Sequence, residues 1–175
     1  DPVQVADALV AVHSTDPVSV HLSAALRTTE PAVASVERAL YDDRTLVRHH
    51  AMRRTLWVAT PETTRLMHAA ATRRLIGPES RRTEKLLAEG GLCDPAAWLA
   101  DARGQALAAL REHGPMTARQ VGERVPALRH PVELAPGKSY GATVSAHTRV
   151  LLQLGFEGAV LRGRPTGSWV SGAYH

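Results

Sequence analysis

One cysteine, Cys93, is all the thiol chemistry this 175-residue chain has, which excludes an internal disulfide and a cysteine-rich zinc site. Aromatic residues make up only 4% of it, so aliphatic and alanine contacts between helices must supply the core. Lysine is nearly missing: Lys85 and Lys138 stand alone among the basic residues, and the rest are arginine. No apolar run reaches the roughly 20 residues that a membrane-spanning helix needs, and no secretory leader pattern is visible. A soluble cytoplasmic protein is therefore expected. The sequence also has no phosphate-binding Gly-x-x-x-x-Gly-Lys-Ser/Thr loop, no His-Glu-x-x-His and no Gly-x-Ser-x-Gly, so the common nucleotide, zinc-hydrolase and serine-hydrolase motifs are missing. The nine histidines are scattered. His49 and His50 adjoin on an expected strand and should point to opposite faces, a poor chelate. No metal and no small-molecule cofactor is expected.

What is present is length, apolar content and positive charge. With 44% hydrophobic residues, the chain can bury a real core as one large domain or two small ones. Its formal charge is +4 and its pI about 9.8. A basic, arginine-dominated balance favours a polyanionic partner such as double-stranded DNA, because guanidinium groups bind phosphate in a bidentate manner.

The second half is the more legible. Asp94 followed by Pro95 starts a helix, with an apolar stripe of Trp98, Leu99, Ala102, Ala106, Leu107 and Leu110, and Gly114-Pro115 ends it. Thr117 to Gln120 fits a capping box opening a second helix, with Val121 and Val125 inward. A third helix is expected over residues 143–154, capped by Gly155. It would bury Val144, Val150, Leu151 and Leu154 and leave Ser145, Thr148, Arg149 and Gln153 outward, with His147 at the boundary. Those polar groups either meet base edges and phosphates in a major groove or form an ordinary solvated face. Two strands are expected next, over residues 158–162 and 168–171, joined by the turn 163–167 that carries Arg164 beside Arg162. Trp169 is expected in the core, closing this hairpin onto the helices. Residues 126–141 are too long for a minimal helix-turn-helix connection and hold either a short strand around residues 132–134 or a basic loop.

The first half repeats the order. Helices are expected over residues 3–12, 18–27 (after Asp16-Pro17, with Val18, Leu22 and Leu26 inward) and 31–41. Strands follow over residues 46–49 and 55–58, around a turn that bears Arg53 and Arg54. Arg44 and Arg48 add to this basic hairpin, unless Asp42, Asp43 and Glu62 neutralise it. Two connecting helices, over residues 60–74 and 78–89, end at Gly90-Gly91. The reading is a mostly α protein with short β-hairpins, an α+β class, built from tandem winged helix-turn-helix modules. It assigns residues 1–59 to a first winged module, 60–93 to connecting helices and 94–175 to a second winged module. Arg48, Arg53, Arg54, Ser145, Thr148, Arg149, Arg162 and Arg164 are its candidate DNA contacts, expected to converge on one continuous surface. The chain starts at Asp1 and stops just after an expected strand, so it is expected to be part of a longer protein.

One polar cluster, His13-Ser14-Thr15-Asp16, invites a catalytic reading in which His13 acts as a base on water. It equally fits a turn in which Asp16 caps a helix. Three stretches add to this: residues 16–23 (Asp-Pro-Val-Ser-Val-His-Leu-Ser), residues 44–58 (Arg-Thr-Leu-Val-Arg-His-His-Ala-Met-Arg-Arg-Thr-Leu-Trp-Val) and residues 163–172 (Gly-Arg-Pro-Thr-Gly-Ser-Trp-Val-Ser-Gly). They resemble the winged-helix DNA-binding family that contains the azinomycin-resistance (AlkZ/YcaQ-like) DNA glycosylases and their bacterial relatives. The resemblance implies a nucleoid-associated protein that removes alkylated or crosslinked bases by hydrolysing the N-glycosidic bond, with further winged-helix and barrel structure in complete members. It also implies that a Gln-x-Gln or Gln-x-Asp motif before the Asp-Pro orients the attacking water. His13 and Thr15 occupy those positions here. The alternatives are a transcriptional regulator or a non-catalytic DNA-binding relative.

Overall fold

The computed structural model describes residues 1–29, 33–135, 137–167, 169 and 170. Among the described residues helices dominate, accompanied by two small antiparallel sheets. The chain divides into two compact units, Asp1–Leu75 together with the described residues from Gly155 onward, and Ile76–Leu154.

The first unit opens with α1 (Pro2–Ala8), whose N-terminus carries a reciprocal cap between Asp1 and Gln4. This helix is shorter than expected. Val10 turns into the left-handed region at φ 67°, and β1 (Val12–His13) joins a sheet. The branched Val12 is buried against Val58 on a neighbouring strand instead of extending the helix. Next come α2 (Val18–Ala25) and α3 (Val33–Glu37), the latter prolonged by a π-helical turn, Arg38–Asp42. On α2 the buried side chains are Val20, His21 and Ala24, whereas Leu22 and Leu26 are exposed. The expected stripe is thus rotated, because the i, i+4 pair Val20 and Ala24 meets Ala6, Val36 and Leu40 in the core.

The strands β2 (Val47–His50) and β3 (Leu56–Ala59) form the expected hairpin, and β1 adds to the far side of β3, giving the order β1-β3-β2. Register pairs Val12 with Val58 and His13 with Trp57 on one side of β3, and Arg48 with Val58 and His49 with Trp57 on the other. Alternation then sends Val12, Val58, Leu56, Arg48 and His50 to the core face and puts His13, Trp57 and His49 in one row on the opposite face. Ser14 continues the inward set. It is 1% exposed, and its hydroxyl has no hydrogen-bond partner among the described residues. A buried, unsatisfied hydroxyl costs about 1–3 kcal/mol. Ser14→Ala is accordingly expected to raise the melting temperature by a few degrees, at about 2–4 °C per kcal/mol for a chain of this size, as read by calorimetry.

After the sheet, α4 (Pro61–Met67) is capped by the Thr60 hydroxyl, and a π-helical turn, His68–Thr72, leads into α5 (Arg73–Glu89). The expected break near Pro78 does not occur, and the proline sits inside a continuous helix with its ring exposed. In the second unit α6 (Pro95–His113) starts on Asp94, whose carboxylate accepts the Ala97 N–H at 3.0 Å. It buries Leu99, Ala102, Ala106 and Ala109 and ends at Gly114, φ 78°. The capping box of Thr117 and Gln120 forms at the start of α7 (Ala118–Arg124). A 3-10 turn, Pro126–Arg129, precedes β4 (Pro131–Leu134), which pairs antiparallel with β5 (Ala142–Ser145) before α8 (His147–Glu157). Leu99, Val121, Leu128, Val132, Val150 and Leu154 are fully buried here. The expected third helix therefore begins later, since residues 142–145 pair as a strand, and it ends beyond Gly155 at Gly158, φ 72°. Of the expected second hairpin, residues 158–167, 169 and 170 form turns, bends and coil with one bridging residue, Pro165, whereas Ser168 and Ser171 lie outside the described residues.

Candidate functional site

On the face of the first sheet that carries His13, Trp57 and His49, only the His13 end is exposed, and the polar cluster of the sequence lies there. His13 and Thr15, two residues apart on extended chain, point the same way, and Nε2 of His13 lies 3.2 Å from the Thr15 hydroxyl. Both are exposed. Between them the Ser14 N–H donates to the Leu56 carbonyl at 2.8 Å and locks the segment to β3, whereas the Asp16 carboxylate accepts the Val18 N–H at the start of α2. Across the strand pair, the His13 and Trp57 rings meet edge to face, with centroids 5.1 Å apart and planes at 79°. The Trp57 indole N–H donates to the Thr55 hydroxyl at 2.9 Å and to the Met52 carbonyl at 3.3 Å, both in the hairpin tip. That tip, Met52–Arg54, exposes Arg53 and Arg54 on left-handed backbone, φ 56° and 62°.

Three histidines of this unit are buried, His49 on the same face as Trp57 and His50 on the opposite one, with His21 on α2. His49 Nε2 and His68 Nδ1 are 3.0 Å apart, and burial followed by the charge of His68 pushes His49 down to about 4. His50 packs on Phe156 with centroids 4.6 Å apart, and burial, then Arg162 and His49, also lower it to about 4. His21 falls to about 4 through burial and the nearby Arg48. His49 and His50 do point to opposite faces, as strand alternation requires. Among the described residues no group of three or more His, Cys, Asp and Glu side chains could hold a metal ion, and no helix is long and apolar enough to cross a membrane.

A family model of AlkZ-like DNA glycosylases matches residues 6–174. The chain belongs to the AlkZ-like DNA glycosylase family. No curated protein and no solved structure matches it.

In this AlkZ-like chain the expected site residues do not all converge. His13, Thr15, Arg53 and Arg54 stand around one sheet edge and its hairpin tip. Arg48 does not join them: it is an even-numbered residue of β2, so the pleat turns it to the core face, where it is 4% exposed. Ser145 ends β5 and is not part of a helix; its carbonyl accepts the Thr148 hydroxyl at 2.9 Å on the exposed first turn of α8. Arg149 and Gln153 do not face outward. The Arg149 side chain is 12% exposed and lies 3.5 Å from the Glu79 carboxylate and 3.2 Å from the Thr83 hydroxyl. Gln153 is 2% exposed and donates to the Ile76 carbonyl. Arg162 is exposed. Arg164 is held at 2.8 and 2.9 Å by both oxygens of Asp42, with Glu37 at 3.6 Å and the Tyr41 ring beneath it at 5.4 Å. Two carboxylates already neutralise that guanidinium, and phosphate would have to displace them. The expected continuous arginine surface is thus not formed by Arg48, Arg149 and Arg164. Trp57, which the sequence reading did not single out, is brought beside His13 by the β1–β3 register, a pairing that no local pattern signals.

Proposed function

We propose that the protein binds double-stranded DNA and acts as a monofunctional glycosylase on alkylated or crosslinked bases, with His13 and Thr15 handling the water and Arg53 and Arg54 gripping phosphate. The observation that carries this reading is the exposed His13–Thr15 pair, hydrogen-bonded at 3.2 Å beside a hairpin tip with two solvent-facing arginines. The first unit supports a winged-helix reading. Its order is helix, strand, helix, helix and hairpin, with the first strand closing on the last, and the wing is the Met52–Arg54 tip. In the second unit α6, α7 and α8 supply three helices, with β4 and β5 inserted between the second and third. Thr148 at the exposed start of α8 is the remaining candidate there for contact with DNA.

The chemistry fits a leaving group that needs little help. Water oxygen bonds to C1′ of the sugar as the C1′–N bond breaks, and the electron pair leaves with the base. A ring-alkylated purine is cationic, so that pair neutralises it and no protonating acid is required. In the tautomer where Nδ1 of His13 carries the hydrogen, the Thr15 hydroxyl donates to Nε2 and accepts from the water. As the water oxygen bonds to C1′, its proton passes to Thr15 and the Thr15 proton to His13. The pair divides between two side chains what an amide does alone.

The direct test is release of 7-methylguanine or a related adduct from methylated duplex DNA, followed by chromatography. A protein that binds duplex but frees no base at any pH between about 5 and 9 would be a non-catalytic relative. The departure from the glutamine motif at His13 and Thr15 is what favours that second reading. A regulator would instead show one tight operator with a large specificity ratio.

Phosphate contact has its own signature. Each contact contributes about 0.9 to the slope of log K against log salt on B-form DNA. Replacing both Arg53 and Arg54 by alanine is expected to flatten the slope by about 1.8, measured by fluorescence anisotropy from low to high salt. Arg164→Ala should leave it unchanged.

A further inference from the structure

We infer that Trp57 is the platform on which the target base stacks once it has left the duplex, and that its indole sets the base against His13 and Thr15. The inference rests on the glycosylase reading of that site and adds the group that would position the substrate. In the row of His13, Trp57 and His49 on one face of the sheet, His49 is buried against His68, whereas the other end, His13, is exposed. Trp57 stands between them, half-buried, and packs against the Ala51, Ala59 and Met67 cluster. Its single polar atom is already used twice, by Thr55 and by Met52. What it can offer a ligand is therefore π surface, not a hydrogen bond. Those same two bonds fix the plane of the ring at the root of the tip that carries Arg53 and Arg54. A flat partner with a phosphate attached suits this juxtaposition: the guanidinium groups suit the backbone, the indole suits the base, and the His13–Thr15 pair is one strand away.

Every base has a π face, so stacking tolerates differences in sequence. A ring-alkylated purine adds positive charge, which an indole face attracts. Glycosylases reach their bond by taking the nucleotide out of the stack, and the unstacking cost is lowest for a damaged base. Trp57 gives the extruded ring a surface to replace the one it lost.

The test uses the chain with Trp98→Phe and Trp169→Phe, so that Trp57 is the sole indole, and two duplexes. One carries a 2′-fluoro-7-methyldeoxyguanosine that resists hydrolysis, and the other a tetrahydrofuran abasic site at the same position. The expected result is quenching of Trp57 fluorescence by about half with the methylated base and by little with the abasic duplex. Trp57→Ala should weaken binding to the methylated duplex about tenfold more than it weakens binding to the unmodified duplex, within the range measured for base–aromatic stacking. Trp57→Phe should lose threefold or less. If the double-phenylalanine background does not fold, the fluorescence difference between the parent chain and Trp57→Phe on the same duplexes reads the same quantity. Equal quenching by both duplexes, or an equal loss of affinity for lesion and plain DNA in Trp57→Ala, overturns the inference. Base release without base-dependent quenching overturns it while leaving the glycosylase reading intact, and quenching without release does the reverse.

Discussion

His13→Ala is expected to lower base release by about 10²–10⁴-fold, the usual contribution of a positioned acid or base, with duplex affinity unchanged. The side chain is exposed, it meets the Thr15 hydroxyl and, edge to face, the Trp57 ring, and its strand is held by backbone pairing that alanine keeps. A large structural cost is not expected, and thermal unfolding will check this. Thr15→Ser retains a hydroxyl and should retain most of the rate, whereas Thr15→Val, nearly the same shape without the hydrogen bond, should not. His13→Gln restores an amide, which donates and accepts at once, and should recover part of the rate. Single-turnover release from methylated duplex separates these outcomes. Full activity in His13→Ala would remove the site from the reaction.

Acid should unfold the protein early. His21, His49 and His50 are each held down to about 4, against about 6.5 in an unfolded chain. Between those two values the unfolded state binds more protons than the folded one, so stability rises with pH and falls as the solution is acidified. Above about pH 6.5 the contribution is complete. At pH 5 the loss is about 2 kcal/mol per histidine at 1.36 kcal/mol per pH unit. The sum is less than additive, because His49 and His50 act on each other. Even two such histidines would remove a large share of the 5–15 kcal/mol typical of a folded domain. Chemical denaturation at pH 7 and pH 5 should show a clear fall in midpoint. Replacing His50 by an apolar side chain of similar size should shrink that fall. An unchanged midpoint would mean that these rings are solvated in the folded protein.

Features set by a few neighbouring residues were legible in the sequence. Asp94 and Thr117 cap their helices where short-range hydrogen-bond chemistry puts them, and the β2–β3 hairpin lies within two residues of its expected span. The shared face of His13 and Thr15 was not legible, because the sequence reads as a helix end and a turn there and the extended chain that aligns them depends on pairing with β3. Readings that depended on a distant partner failed. Val12 extends a helical pattern by spacing, yet Val58 claims it for a sheet. The 18–27 stripe came out rotated because nothing local says which face Val36 and Leu40 will cover. Arg164 has every attribute of a phosphate contact until Asp42, 122 residues away, is found on it. Arg149 is likewise polar on a helix, and nothing near it in sequence says that Glu79 and Thr83 of α5 will meet it.

The Met52–Arg54 tip has a consequence for how this protein can change. Two successive residues with positive φ are what asparagine and glycine accept readily, and arginine does not. The chain nevertheless puts Arg53 and Arg54 there. A sequence chosen only for comfort at that bend would carry no cation, so with Arg53 and Arg54 in the phosphate-binding role proposed above, thermostability and grip on a polyanion pull these two codons in opposite directions. Variants selected for heat resistance alone should drift away from arginine first at this bend, and lose nucleic-acid affinity as they do.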